Sequence, residues 1–282
     1  MKKQLFIFTP LVIITILMGY LLISGKGIND IALSGLQTFK SLKGDRVTTT
    51  NFNLHESQPI SHKIWDKLLK KHVASNGLVN YEGFLTDQKT LDDYLDLLSK
   101  NPPGENWDKS AALAYWINAY NAFTIKLILD NYPVGSIKDI AGSITMVNSP
   151  WDIKFFKIGG VDFDLNTIEH EILRKKFDEP RIHFAINCAS ISCPDLRKEA
   201  YIGQEIDRQL EEQTRIFLRN ESKNQLSVNE LKLSKIFDWF KSDFTRHGSL
   251  VDFLKLYTKL EINPEASIEY LDYDWGLNHG SL

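Results

Sequence analysis

Apolar residues recur along most of this chain at helical intervals. Ile64, Trp65, Leu68, Leu69 and Val73 predict one amphipathic helix and Leu91, Tyr94, Leu95, Leu97 and Leu98 a second, joined through NGLVNYEGF. The stretch from Ser110 to Leu129 is different, being apolar on every side of a helical wheel. It marks a central, buried helix, stopped by Asn131 and Pro133. Strand-like pieces follow: FFKI within 151–158, a Gly159-Gly160 turn, then Val161-Asp162-Phe163. Residues 165–177 resume helical spacing, and Arg181 to Cys188 reads as a short buried strand. Gly203 to Leu218 predicts a long charged helix, NELKLSKIF a strand entering a helix at 235–245, and LVDFLKLYTKL a further helix. The sum is an α+β fold, a helix-rich single domain around a small β-sheet.

Residues 5–24 stand apart, since LFIFTPLVIITILMGYLLIS carries no charge and is long enough for the ~30 Å hydrocarbon layer. The run exceeds a signal-peptide core and lacks a small-residue cleavage site after Ser24, so it reads as an uncleaved anchor. Lys2 and Lys3 favour a cytoplasmic amino terminus, against the opposing pull of Lys26, Lys40 and Lys43. The expected organisation is an anchor over 1–26, a polar linker over 27–60 and a globular domain over 61–282. That domain would lie on the periplasmic or extracytoplasmic side of a bacterial inner membrane. A net charge of -3 gives no electrostatic footprint for nucleic acid, while 43% hydrophobic residues in 282 suffice for a sizeable core.

Candidate chemistry sits in apolar surroundings, where a polar side chain must find a partner. Asn118 and Asn121 lie three apart on the central helix, placed either to satisfy backbone groups or to orient a catalytic group. Glu169 and His170 open the next helical segment. Asn166 makes N-x-x-E with Glu169, a capping-box pattern, and a first-turn imidazole tends to be neutral. His170 and Arg174 share a face at i, i+4, and His183 falls beside Asn187 if its strand alternates. Cys188 and Cys193 are the only cysteines. A helix beginning at Pro194 would activate the Cys193 thiol, an oxidising compartment would close the pair into a disulfide, and simple packing is the third reading. No H-x-x-x-H or C-x-x-C partner accompanies these residues, so neither metal nor cofactor is expected.

Six ordered strings, WINAYNA at 116–122, YPVGSIKDI at 132–140, IEHEILR at 168–174, HFAINCASISCP at 183–194, SKIFDWFKSDF at 234–244 and YDWGLN at 273–278, together resemble the bacterial DUF547 family. The similarity runs from about Ile64 to Asn278. It implies that Asn118, Asn121, Glu169, His170, Arg174, His183, Cys188, Cys193 and Pro194 occupy motif positions. Plant relatives have other residues at the two cysteine positions, which implies that neither a disulfide nor a Cys193 nucleophile is obligatory in the family. A distant likeness to papain- or transglutaminase-like thiol enzymes is a fold-level analogy.

The leading expectation is a thiol-dependent hydrolase or acyltransferase acting on a peptide or amide. Cys193 would be the nucleophile, His170 the base and Glu169 or Asn118 the orienting group, with Asn121, Arg174, His183 and Cys188 binding or orienting. The alternative is a non-catalytic envelope binding or scaffold module with a Cys188–Cys193 disulfide, whose partner is a peptide or envelope protein. A metal-dependent hydrolase using His170 and His183 ranks last.

Overall fold

The computed structural model describes residues 57–141 and 149–280. The anchor expected over 1–26, and the linker up to residue 56, lie outside the described residues. Ser57 already belongs to the folded part, its carbonyl accepting from Trp107 Nε1 at 2.7 Å. Among the described residues no helix is long and apolar enough to cross a membrane.

Helices α1 (Lys63–His72), α2 (Tyr81–Thr86) and α3 (Gln88–Lys100) precede the long α4 (Lys109–Leu129). The first and third follow their apolar spacing, burying Trp65, Leu68 and Leu69, and Leu91, Tyr94 and Leu98. The connector between them holds α2, which its hydropathy did not announce. Asn80 caps α2 by accepting from Gly83 N at 2.8 Å, which replaces a hydrogen bond the first turn lacks. From Leu113 to Leu129, α4 buries every residue except Lys126. Each large side chain there gives roughly 1.5–3 kcal/mol relative to exposure, so the all-apolar pattern is explained by a helix covered on all sides.

A short α5 (Lys138–Ala141) follows, then a hairpin of β1 (Phe156–Ile158) and β2 (Val161–Phe163). Its two-residue turn needs positive φ at both positions; Gly159 at 59° and Gly160 at 81° supply it without a side-chain clash. The helical segment α6 runs as a π turn, Thr167–Leu173, directly into Arg174–Lys176. Helix α7 (Ile206–Arg219) buries one stripe, and β3 (Gln225–Leu226), β4 (Glu230–Leu233) and β5 (Ser267–Tyr270) form a three-stranded sheet. In it β3 pairs antiparallel to β4, and β4 parallel to β5. Between β4 and β5 stand α8 (Ile236–Trp239), α9 (Lys241–Phe244) and α10 (Leu250–Tyr257). Phe184, Phe217, Phe237, Phe244 and Phe253 join this part into one aromatic core. The result is the helix-rich α+β domain the pattern predicted, with its strands divided between two small sheets.

Two local expectations are corrected. Arg181 to Cys188 is not a strand: Pro180–Phe184 is a 3-10 turn and the residues after it are irregular. Pro180 at the first position and Glu179, which accepts from Arg181 N at 3.1 Å, start a helical turn that the alternation of IHFAI conceals. His183 therefore does not alternate with Asn187 across a sheet. The other correction concerns Pro194, which opens no helix, so the dipole expected to activate Cys193 is absent.

Candidate functional site

The polar residues of α4 set the frame of the site. Asn118 Nδ2 donates to Tyr201 O at 2.7 Å, and its Oδ1 accepts from Tyr201 N at 3.0 Å. Asn121 does the same for the next segment, donating to Ala185 O at 2.9 Å and accepting from Asn187 N at 2.8 Å. Each amide thus pairs through both its nitrogen and its oxygen with backbone groups that no strand or helix partners. From there Asn187 continues the thread, donating to Pro194 O at 2.7 Å and accepting from Ala189 N at 2.9 Å and Asn278 Nδ2 at 3.3 Å. Asn278 in turn accepts from Tyr81 OH at 2.6 Å. The 188–193 loop is also clamped on the 274–278 segment, with Ile191 N donating to Gly276 O at 2.8 Å and Asn278 N to Ala189 O at 3.2 Å.

Against this frame lies a pocket of about 170 Å³. Glu169, His170 and His183 line it, as do Cys188, Cys193 and Tyr120. Its remaining walls are mainly aromatic: Trp151, Trp239, Phe240, Tyr273 and Trp275. Trp239 stacks on Trp275 at 5.7 Å, Tyr273 packs on both, and Lys138 Nζ stands 3.7 Å above the Trp275 ring. At 47% exposure, Trp239 carries the apolar surface outward from the pocket.

Glu169 does not cap a helix. Asp164 takes that place, its Oδ1 accepting from Thr167 N at 2.6 Å, while Asn166 bonds Asp152. The carboxyl of Glu169 is free to turn inward, where it is buried and, among the described residues, hydrogen-bonds Tyr120 OH at 3.3 Å. Burial raises its pKa from 4.5 to about 7, against the opposing attraction of Arg174. The π turn closes through Arg174 N to Glu169 O, one residue wider than an α turn, a geometry found frequently at functional sites.

Arg174 organises the two histidines. Its Nε and Nη2 bond Asp243 at 2.6 and 3.1 Å, and its Nη1 reaches His170 Nδ1 at 3.0 Å. Asp243 also meets His183 Nε2 at 2.9 Å. Arginine can only donate, so His170 Nδ1 is the acceptor and the ring proton sits on Nε2. An ionised carboxylate can only accept, so His183 carries its proton on Nε2 and leaves Nδ1 bare. Burial lowers the pKa of both rings, that of His183 to about 4, and the Arg174 charge adds to the shift of His170. Burial works to raise the Asp243 carboxyl, but hydrogen bonds from His183 and Arg174 outweigh it and hold it well below the usual range. His170 accordingly presents an N–H, the opposite of the base role the sequence suggested.

Both cysteines are joined in a Cys188–Cys193 disulfide, with Cα atoms 6.1 Å apart. Cys188 N donates to Cys193 Sγ at 2.7 Å. In this form Cys193 has no thiolate to offer, and the bond forms part of the pocket wall. Among the described residues no group of three or more His, Cys, Asp or Glu is placed to hold a metal ion.

Residues 104–218 match the family described as "Protein of unknown function, DUF547". The match supports the DUF547 family. No curated protein and no solved structure matches the chain. The DUF547 match spans α4, the π turn and the disulfide loop, whereas Asp243, Trp239, Tyr273 and Trp275 lie beyond it. Sequence reasoning placed Glu169, His170, Arg174, His183, Cys188 and Cys193 among its candidates, and all of them gather here; Asn118 and Asn121 stand behind the pocket as its scaffold. It missed Asp243 and gave no role to Tyr120, Trp151, Trp239, Tyr273 or Trp275. The only sign of Asp243, Trp239, Tyr273 and Trp275 was the density of aromatics in SKIFDWFKSDF and YDWGLN, while Tyr120 stood within WINAYNA and Trp151 in none of the motifs.

Proposed function

We propose that the pocket hydrolyses an amide bond, most simply in a peptide, by proton transfer through Glu169. The observation that supports this reading is one pocket holding a buried carboxyl with its pKa near 7 beside an imidazole that presents N–H. In that reading the Glu169 carboxylate takes a proton from water as the water oxygen bonds to the substrate carbonyl carbon. His170 Nε2–H donates to the carbonyl oxygen while charge grows there, and Glu169 returns the proton to the amine as the C–N bond breaks. The aromatic walls exclude water and hold the substrate's apolar part. Incubating the full-length, disulfide-bonded protein in detergent with a mixed peptide pool tests this, with mass spectrometry reading new amino termini. Cleavage is expected, and Glu169→Gln removes it. Absence of cleavage with peptide retention would overturn the hydrolase and leave a binding module.

The thiol reading keeps one specific support: both sulfurs line the same pocket, so reduction would release two thiols into it. Activity that appears only with reductant and vanishes on alkylation of Cys193 would favour it over Glu169 chemistry. The reading further holds that residues 5–24 anchor the chain in the bacterial inner membrane, with the domain on the extracytoplasmic side, on the support of their uncharged length. Alkaline carbonate extraction should leave the protein with membranes, and a soluble form beginning near residue 25 would overturn it.

A further inference from the structure

We propose that His170 and His183 act together as a reader of an uncharged carboxamide, a role that rests on the pocket being the working site. Both rings pack on Phe240, with centroids 6.1 and 4.0 Å away, and both line the pocket. They hold the same tautomer but use opposite atoms for support. His170 gives its Nδ1 to Arg174 and keeps Nε2–H; His183 gives its Nε2–H to Asp243 and keeps a bare Nδ1. That Nδ1 has no hydrogen-bond partner among the described residues although His183 is only 2% exposed. A buried acceptor left unpaired is costly, and in a pocket wall a ligand N–H is the group that would satisfy it.

The rest of the polar lining narrows the chemistry. Among the described residues the pocket lining holds no lysine or arginine, and Arg174, which does not line it, is bonded to Asp243 and His170, so no cation stands in the wall to receive a carboxylate or phosphate. A carboxylate would instead face the His183 lone pair and the Glu169 carboxyl. An ester supplies an acceptor for His170 and nothing for His183; an amine supplies the reverse. A carboxamide supplies both, a carbonyl oxygen for His170 Nε2–H and an N–H for His183 Nδ1.

The test uses three probes that share one aromatic body and carry no second amide: 3-phenylpropanamide, 3-phenylpropanoic acid and methyl 3-phenylpropanoate. They are titrated into full-length protein carrying 15N-histidine, with binding and imidazole nitrogen shifts read by NMR. The amide should bind about tenfold or more tightly than either analogue and shift the His183 Nδ1 resonance, the size expected of one hydrogen bond gained or lost. His183→Phe keeps a ring against Phe240 and should erase the preference. Equal affinities, no amide binding, or a protonated Nδ1 in the free protein would each overturn the pair, and the wild-type titration needs no variant to fold. Amide preference without peptide cleavage removes only the hydrolase reading. Cleavage without amide preference removes only this one.

Discussion

The buried amides of α4 and the buried acid–base groups of the pocket are alike in burial and opposite in completeness. Asn118 and Asn121 each donate and accept with backbone, so their polar atoms are engaged and no function beyond anchoring is needed to account for them. Among the described residues Glu169 has a single long hydrogen bond, from Tyr120, and His183 has a ring nitrogen without a partner. Saturation marks architecture; a deficit held inside a pocket marks a place where another molecule completes the set.

Three substitutions can break or sharpen that contrast. Arg174→Met removes the cation that links His170 to Asp243, and should cost about 3 kcal/mol in chemical denaturation because a largely buried carboxylate loses its strongest partner. It should also release His170 Nδ1, seen as a mixed tautomer by NMR. A loss below ~1 kcal/mol would mean that Asp243 is adequately held by His183, Arg246 and Ser242.

Glu169→Gln probes the unsaturated side through pH. The folded pKa is raised, so the native state binds more protons than the unfolded one between pH 4.5 and about 7, and wild-type stability falls as pH rises through that window. At pH 8 the lost stability is about 3 kcal/mol, and below pH 4 it is absent. The difference between Gln variant and wild type should therefore grow from near zero at pH 4 to a clear stabilisation of the variant at pH 8. A constant difference would mean that Glu169 ionises as an exposed acid does.

Asn118→Ala probes the saturated side. It strands Tyr201 N and O and should cost on the order of 1–3 kcal/mol, with the apparent pKa of Glu169 unchanged. If the melting midpoint held while that pKa moved, Asn118 would belong with the pocket groups after all.

How much of this could be read from the chain depends on sequence distance. The buried helix, its two amides, and the i, i+4 pairing of His170 with Arg174 follow from local spacing, and the structure realises them within one element each. Asp243 reaches Arg174 and His183 across 69 and 60 residues, and an acid in an aromatic string shows no periodicity that would separate it from a solvated one. The strand expected at Arg181–Cys188 failed for the opposite reason: a true alternation was present, but Pro180 and the Asn121 amide settled the backbone otherwise. Strand β5 is exposed over most of its length, so it lacked a hydrophobic signature altogether.

The amide thread from Asn121 through Asn187 to Asn278 and Tyr81 has a consequence for biosynthesis. It joins positions as much as 197 residues apart, so its links are among the most non-local in the domain and their loop-closure cost falls late in assembly. A nascent chain that stops before Tyr273 would have made α4, both histidines and both cysteines, yet would lack two aromatic walls and the segment that clamps the disulfide loop. Such a chain can build a hydrophobic interior while its chemical groups stay open to water, so competence at this site reports that synthesis has run past Asn278.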